Sequence, residues 1–243
     1  MISFTIEGFM GHFRKYYTTV TPLSYVFPPR NTIVGILAAI LGLKRDSYYN
    51  LFSRSNSKIG LQILTPVRKV SLSTNYLDID DLSYKKFRGK GSVPTRGEYV
   101  MSLDGDTLKY KIFVEHKDEN LLETLEAKLK EMKSHYPLSL GSANCLAFLS
   151  DYQAMKDVVP FQTRGEEEFE IITIMRQDQI KIDPAKNIGR RIMIEERLPP
   201  DFKDDRAPGF KSLNYVYEAN CKPLIAALKG EVYRIDGKHG AFM

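Results

Sequence analysis

Tryptophan is missing altogether, cysteine occurs only as Cys145 and Cys221, and histidine occurs four times. With no CxxC pair and no ligand-spaced cluster, the sequence offers neither a zinc site nor a disulfide framework. Two reduced thiols in a cytoplasmic protein are the simplest expectation. Long apolar runs are missing too. The longest, Ile33–Leu43, falls far short of the ~20 residues of a membrane span. The opening MISFTIEGF alternates apolar and polar residues and lacks a signal-peptide core. Neither secretion nor a membrane partner is expected. HExxH, P-loop, GxSxG and dinucleotide fingerprints are also absent, so no metal and no cofactor is expected. Internal repeats and low-complexity tracts do not occur.

What remains is a globular composition. The 243 residues are 43% hydrophobic and 27% charged, enough for one domain or two small ones. Net charge is +5, which permits a polyanionic partner without requiring one. Aromatic surface is plentiful, with 14 Tyr and 13 Phe.

The most informative stretch is Gly11 to Gly42, GHFRKYYTTVTPLSYVFPPRNTIVGILAAILG. A basic, aromatic loop runs through a double proline and Arg30 into an apolar helix. Arg14, Lys15 and Arg30 supply cations that attract phosphates, and rings such as Tyr16 can stack on unpaired bases. Phe13, Tyr25 and Phe27 read as packing residues. Free backbone N–H groups at the helix start, around Asn31 and Thr32, suit an anionic oxygen.

Ile2, Phe4 and Ile6 alternate with polar residues, the period of a half-buried strand. The helix from about Asn31 to Leu43 is apolar all round and should be covered on several sides. Gly35 inside it suggests close approach of another backbone. Lys58–Val70 reads as a second strand. Glu98–Leu103 and Leu108–Glu115 flank Asp104-Gly105-Asp106 and read as a hairpin. An amphipathic helix spans 119–133, with Leu121, Leu122, Leu125, Leu129 and Met132 inward, and a strand follows from Cys145 to Tyr152. Strand, helix, strand, hairpin, helix, strand is the ferredoxin-like pattern of an α+β domain. We place this domain at 1–155. A mainly antiparallel β lobe is expected at 156–243, where Pro223–Leu228 is strand or helix.

Between about 71 and 97 lies a long polar insertion. Loops of this length in compact domains are usually functional or disordered. Its second half interleaves Lys85, Lys86, Phe87, Arg88 and Lys90 with glycines, and Arg96 follows. It is expected to be mobile in the free protein and to order on binding.

Two motifs in this order resemble the Cas-five family of the RAMP (repeat-associated mysterious protein) superfamily, the 5′-handle-binding subunit of type I CRISPR Cascade complexes. The first comprises Gly8, Phe13-Arg14, Leu23-Ser24-Tyr25, Pro28-Pro29-Arg30 and Gly35 through Gly42. The second is Tyr136-Pro137-Leu138-Ser139-Leu140-Gly141, followed by Asn144-Cys145-Leu146. The sequence is most similar to the type I-B (Hmari/Tneap) branch. The resemblance implies a ferredoxin-like RAMP fold, a crRNA partner, contacts with the Cascade backbone subunit and large subunit, and indirect contact with target DNA. It also implies that the insertion is a protruding thumb. Gly141-Ser142-Ala143-Asn144 matches the family's glycine-containing loop; it is either a plain turn or a set of N–H groups for a phosphate.

Catalysis without metal requires a base, an acid and a cation. His12 beside Lys15 and Tyr16 has the chemical types, but no histidine has an evident partner. The reading is a non-enzymatic RNA-binding subunit. The alternative is a metal-independent endoribonuclease that processes CRISPR repeat RNA.

Overall fold

The computed structural model describes residues 1–19, 21–77, 92–155, 158–199, 201–202, 212–235 and 237–243. The chain opens with β1 (Ile2–Gly8), whose Ile2, Phe4 and Ile6 enter the core as their alternation predicts. Three two-residue strands follow, β2 (Met10–Gly11), β3 (Phe13–Arg14) and β4 (Ser24–Tyr25). Next come α1 (Arg30–Leu41), β5 (Ser57–Ile63), β6 (Val67–Leu77), β7 (Ser92–Ser102), β8 (Leu108–His116), α2 (Glu119–Lys130), β9 (Leu138–Ser139) and β10 (Leu146–Ala154).

The first sheet is antiparallel in the order β5-β8-β1-β10-β9. Its central strand β1 places Ile6 opposite both Tyr110 and Leu149. α1 starts at Pro29, whose ring sets the backbone angle that a helix start needs. It stops at Gly42, which adopts the left-handed conformation and donates its N–H to Ala38 O at 2.9 Å. Ile33, Val34, Ile36, Leu37 and Ile40 are buried in one core with Leu125 and Leu129 of α2. Asp118 caps α2 by accepting from Leu121 N at 3.2 Å. The helix ends before Met132, which takes a left-handed φ and is exposed rather than inward as expected.

Three more expectations are corrected. The apolar run 58–70 is two strands, because Pro66 lacks a ladder donor and the chain turns there from β5 into β6. Asp104-Gly105-Asp106 does make a turn, but the strands it joins belong to different sheets. β7 pairs with β6 and β2, whereas β8 pairs with β5 and β1. Among the described residues Gly35 meets no other backbone; the nearest atom to a Cβ built there is the Tyr48 hydroxyl at 3.8 Å. Of the insertion at 71–97, the described residues form an antiparallel ribbon that pairs out to Leu77 opposite Ser92.

Beyond residue 158 the regular elements are mainly strands, β11 (Pro160–Ile171), β12 (Met175–Arg176), β13 (Ile180–Ile182), β14 (Ile192–Leu198), β15 (Leu213–Glu218), β16 (Leu224–Ile235) and β17 (Lys238–Gly240), with two short 3-10 turns at Gln177–Gln179 and Pro184–Asn187. The ambiguous apolar run 223–228 is therefore strand; it opens β16, where Ala226 and Ala227 pair with Phe169 and Glu168 of β11. One sheet runs β11-β17-β16-β13 and another β12-β15-β14. The main core does not stop at residue 155, since Leu198, Tyr215, Tyr217 and Met243 belong to it together with Ile2 and Phe4. Phe27 sits edge-on to Tyr215 and Tyr217, and Phe13 edge-on to Tyr110. Phe13, Tyr25 and Phe27 are all buried, as packing residues should be. The architecture is mixed α+β with strands dominant. Among the described residues no helix is long and apolar enough to cross a membrane.

Candidate nucleic-acid interface

Four elements converge on a cleft of about 860 Å³. α1 contributes Asn31, Thr32, Gly35 and Ile36; the β3–β4 loop contributes Arg14, Thr19 and Pro22. The segment after α2 adds Pro137 through Ser139, Gly141 and Ser142, and the ribbon adds Thr74, Tyr76, Thr95, Gly97 and Tyr99. The ribbon residues share one face because strands alternate, and Thr74 stands directly opposite Thr95. The first turn of α1 borders the cleft with no side-chain cap and no acidic residue, and its Thr32 and Ile33 N–H groups donate back to Pro29 O at 2.8 and 3.1 Å.

His12 ties these elements together. Its backbone N–H donates to Leu140 O at 2.9 Å, and its Nδ1–H donates to Glu98 O at 2.7 Å. A carbonyl can only accept, so Nδ1 carries a proton. The ring lies 5.2 Å from that of Tyr99. The Tyr99 hydroxyl is bonded to the side chains of Tyr76 and Asn144, and burial raises its pKa. Gly141 has φ +90°, and a Cβ there would lie 2.1 Å from His12 O. Only glycine lets this loop approach the His12 backbone. The loop closes as a turn, with Leu140 N donating to Cys145 O at 2.8 Å and Cys145 N to Ser142 O at 2.9 Å.

Of the residues expected to bind RNA, the cleft gathers His12, Arg14, Asn31, Gly141 and Ser142. Arg14 is exposed, and its guanidinium donates to Thr18 O at 3.2 Å. Asn144 stands at the rim on Tyr99. Arg96 is exposed on β7, but the alternation that turns Thr95, Gly97 and Tyr99 toward the cleft places it on the opposite face of the ribbon. Tyr16 lies outside the cleft, 58% exposed. Lys85, Lys86, Phe87, Arg88 and Lys90 fall outside the described residues.

Two expected phosphate contacts have other occupations. Arg30 is 4% exposed and donates to Ser57 O at 3.2 Å and Ser57 Oγ at 2.9 Å, with the Asp201 carboxylate at 3.4 Å. Burial lowers its pKa, and Asp201 partly restores it. Asp201 also takes Arg54 at 2.8 Å, and Asn31 Oδ1 accepts from Phe202 N at 3.3 Å. Lys15 is held by Glu195 at 2.5 Å and lies over the Tyr25 ring at 5.1 Å. Burial opposes its charge, but the Glu195 carboxylate outweighs that and raises its pKa. Glu195 is itself buried, accepts from Val26 N at 3.2 Å, and has Lys69 at 3.6 Å. Sequence reading missed Tyr48, Thr74, Tyr76 and Tyr99. The alternation in Ser71–Tyr76 was the available signal for the ribbon pair. Among the described residues no cluster of His, Cys, Asp or Glu could hold a metal ion.

A family model described as CRISPR-associated protein (Cas_Cas5) matches residues 1–218. In structure the chain is similar to a CRISPR protein from Archaeoglobus fulgidus, at 15% identity over 98% of this chain and 97% of that one, with a TM-score of 0.58. It is also similar to a chain of the type III-B Cmr-beta complex bound to cognate target RNA and AMPPnP. There the identity is 12% over 93% of this chain and 86% of that one, with a TM-score of 0.52. At these identities both speak to the fold alone. No curated protein sequence matches the chain. The family match runs through both candidate motifs and on to the end of β15, and on it the chain belongs to the CRISPR-associated Cas_Cas5 family.

Proposed function

We propose that this protein is a non-enzymatic RNA-binding subunit of a type I Cascade complex, gripping the 5′ handle of crRNA and capping the backbone filament. The observation that carries the reading is the convergence of Arg14, the α1 start, the Gly141 loop and the aromatic face of the ribbon on one cleft. Tyrosines, hydroxyls and backbone donors with few cations suit an unpaired, bent strand better than a duplex. The strand order β5-β8-β1-β10, with α1 and α2 in one core, supports reading 1–155 as a ferredoxin-like RAMP domain. The paired ribbon β6–β7 supports a thumb, and 156–243 is read as a β lobe sharing the first domain's core. The backbone and large subunits are the proposed protein partners.

Replacing Arg14 with alanine should weaken binding of labelled repeat RNA. It should also flatten the slope of log affinity against log salt by about 0.7 for the lost phosphate contact. Titration at several salt concentrations in EDTA measures this, and an unchanged slope would remove Arg14 from the RNA path.

One observation favours the second reading, a metal-independent endoribonuclease. The carbonyl of Glu98 accepts from His12 Nδ1 at 2.7 Å, which fixes the ring of a cleft-lining histidine. Under our reading, His12→Gln changes no cleavage of repeat RNA, because the wild-type chain cleaves none. Cleavage by the wild type that disappears in His12→Gln would install the ribonuclease instead.

A further inference from the structure

Arg197 is held in an unusual position. It has φ +55° at the irregularity of β14 between Glu195 and Leu198. Left-handed backbone is costly for a residue with a Cβ, and a bulge of this kind re-aims the side chain it carries. Both of its backbone groups are secured from elsewhere in the fold. Its N–H donates to Asn214 Oδ1 at 3.0 Å, and its carbonyl accepts from the Tyr25 hydroxyl at 2.5 Å. The result is a guanidinium lying over the Tyr17 ring, 5.6 Å from the centroid. Tyr16 stands edge-on to Tyr17, 5.3 Å away at 90°. Tyr16 is 58% and Tyr17 40% exposed, and no carboxylate among the described residues pairs with Arg197. Such tyrosines would ordinarily be tucked against the core; here two rings and an oriented cation face solvent together.

We propose that Tyr16, Tyr17 and Arg197 form a stacking platform for one unpaired nucleobase, with Arg197 and Arg14 meeting the phosphates on either side of it. This rests on the reading of the cleft as an RNA site and extends it. The loop that carries Tyr16 and Tyr17 also lends Arg14, Thr19 and Pro22 to the cleft. A strand leaving the cleft over this loop therefore reaches the platform and the β14 sheet. Aromatic and arginine clusters also anchor protein partners. Nucleic acid is favoured here because the guanidinium is stacked and meets no carboxylate among the described residues, and because Tyr16 presents ring surface to solvent, as base stacking requires.

The test uses the full chain and single-stranded oligoadenylates of increasing length. Tyr16→Ala removes the exposed ring. Arg197→Gly removes the cation while easing the backbone, since glycine accepts this φ, so folding is preserved and checked by thermal melting. Short oligonucleotides should bind both variants like wild type. For longer ones each variant should lose about tenfold or more in affinity, and Tyr16→Phe should restore binding. Wild-type binding at every length by both variants would overturn the platform while leaving the cleft in place. The same result together with lost assembly onto the backbone subunit would reassign the surface to a protein contact. Absence of any oligonucleotide binding by the wild type would overturn the cleft reading itself.

Discussion

Replacing Arg30 with alanine lowers the melting temperature of the free chain by about 6–12 °C and leaves the salt dependence of RNA binding unchanged. The reason is burial. Arg30 is 4% exposed, donates twice to Ser57, and faces Asp201 at 3.4 Å. Removing one partner of a buried ion pair costs about 3–5 kcal/mol, mostly because the other is left uncompensated. Asp201 keeps Arg54 and remains 24% exposed on its side chain, so the low end, about 3 kcal/mol, applies. For a chain of this size each 1 kcal/mol moves the midpoint by about 2–4 °C. Calorimetry on the free protein and a salt titration on the complex check the two halves separately. A stable variant with a flattened salt slope would put Arg30 back on the phosphate path.

A larger effect is expected from Gly141→Ala. The new Cβ would sit 2.1 Å from His12 O and 2.8 Å from His12 C, both backbone atoms that cannot swing aside. The added methyl would also sit on a residue with φ +90°. Strain of that backbone type costs about 1–2 kcal/mol. Relieving the clash means pulling the loop off His12 and losing the Leu140–His12 hydrogen bond, so the total should exceed about 4 kcal/mol. Gly105→Ala is the matched control. Its φ is +83° but nothing lies within 4 Å of the new carbon, so it should cost about 1 kcal/mol. Denaturant titration compares them. Equal costs would mean that the loop yields freely and that the close approach carries no weight.

These two sites show what could be read from the chain alone. β1 and α2 were legible because their signals are local: alternation at Ile2, Phe4 and Ile6, and an apolar stripe ending at Leu129. The packing roles of Phe13, Tyr25 and Phe27 were legible from size and setting. Arg30 and Lys15, read as phosphate contacts, are both engaged within the fold, and their partners were illegible for one shared reason. Each meets a carboxylate far along the chain, Glu195 lying 180 positions from Lys15, and no local pattern reveals such a partner. The turn at Gly105 was legible, but which sheet each flanking strand joins is a matter of long-range pairing. The cleft was half legible. The Arg14 loop and the Gly141 loop announced themselves, whereas Tyr76 and Tyr99 arrive through a ribbon whose length and register depend on its own pairing.

The buried carboxylate of Glu195 bears on discrimination. The formal charge of +5 already sets each acid against a base, and the pairing decides where the excess lies: Glu195 holds the ammonium of Lys15 and stands beside that of Lys69. Bulk attraction treats every RNA in the cell alike. A surface whose amines are neutralised from within rejects chance ligands more readily, and the few cations left exposed, such as Arg14, act only on a strand already laid in the right direction. Neutralising that one acid would therefore make the proposed RNA site stickier and less choosy at the same time.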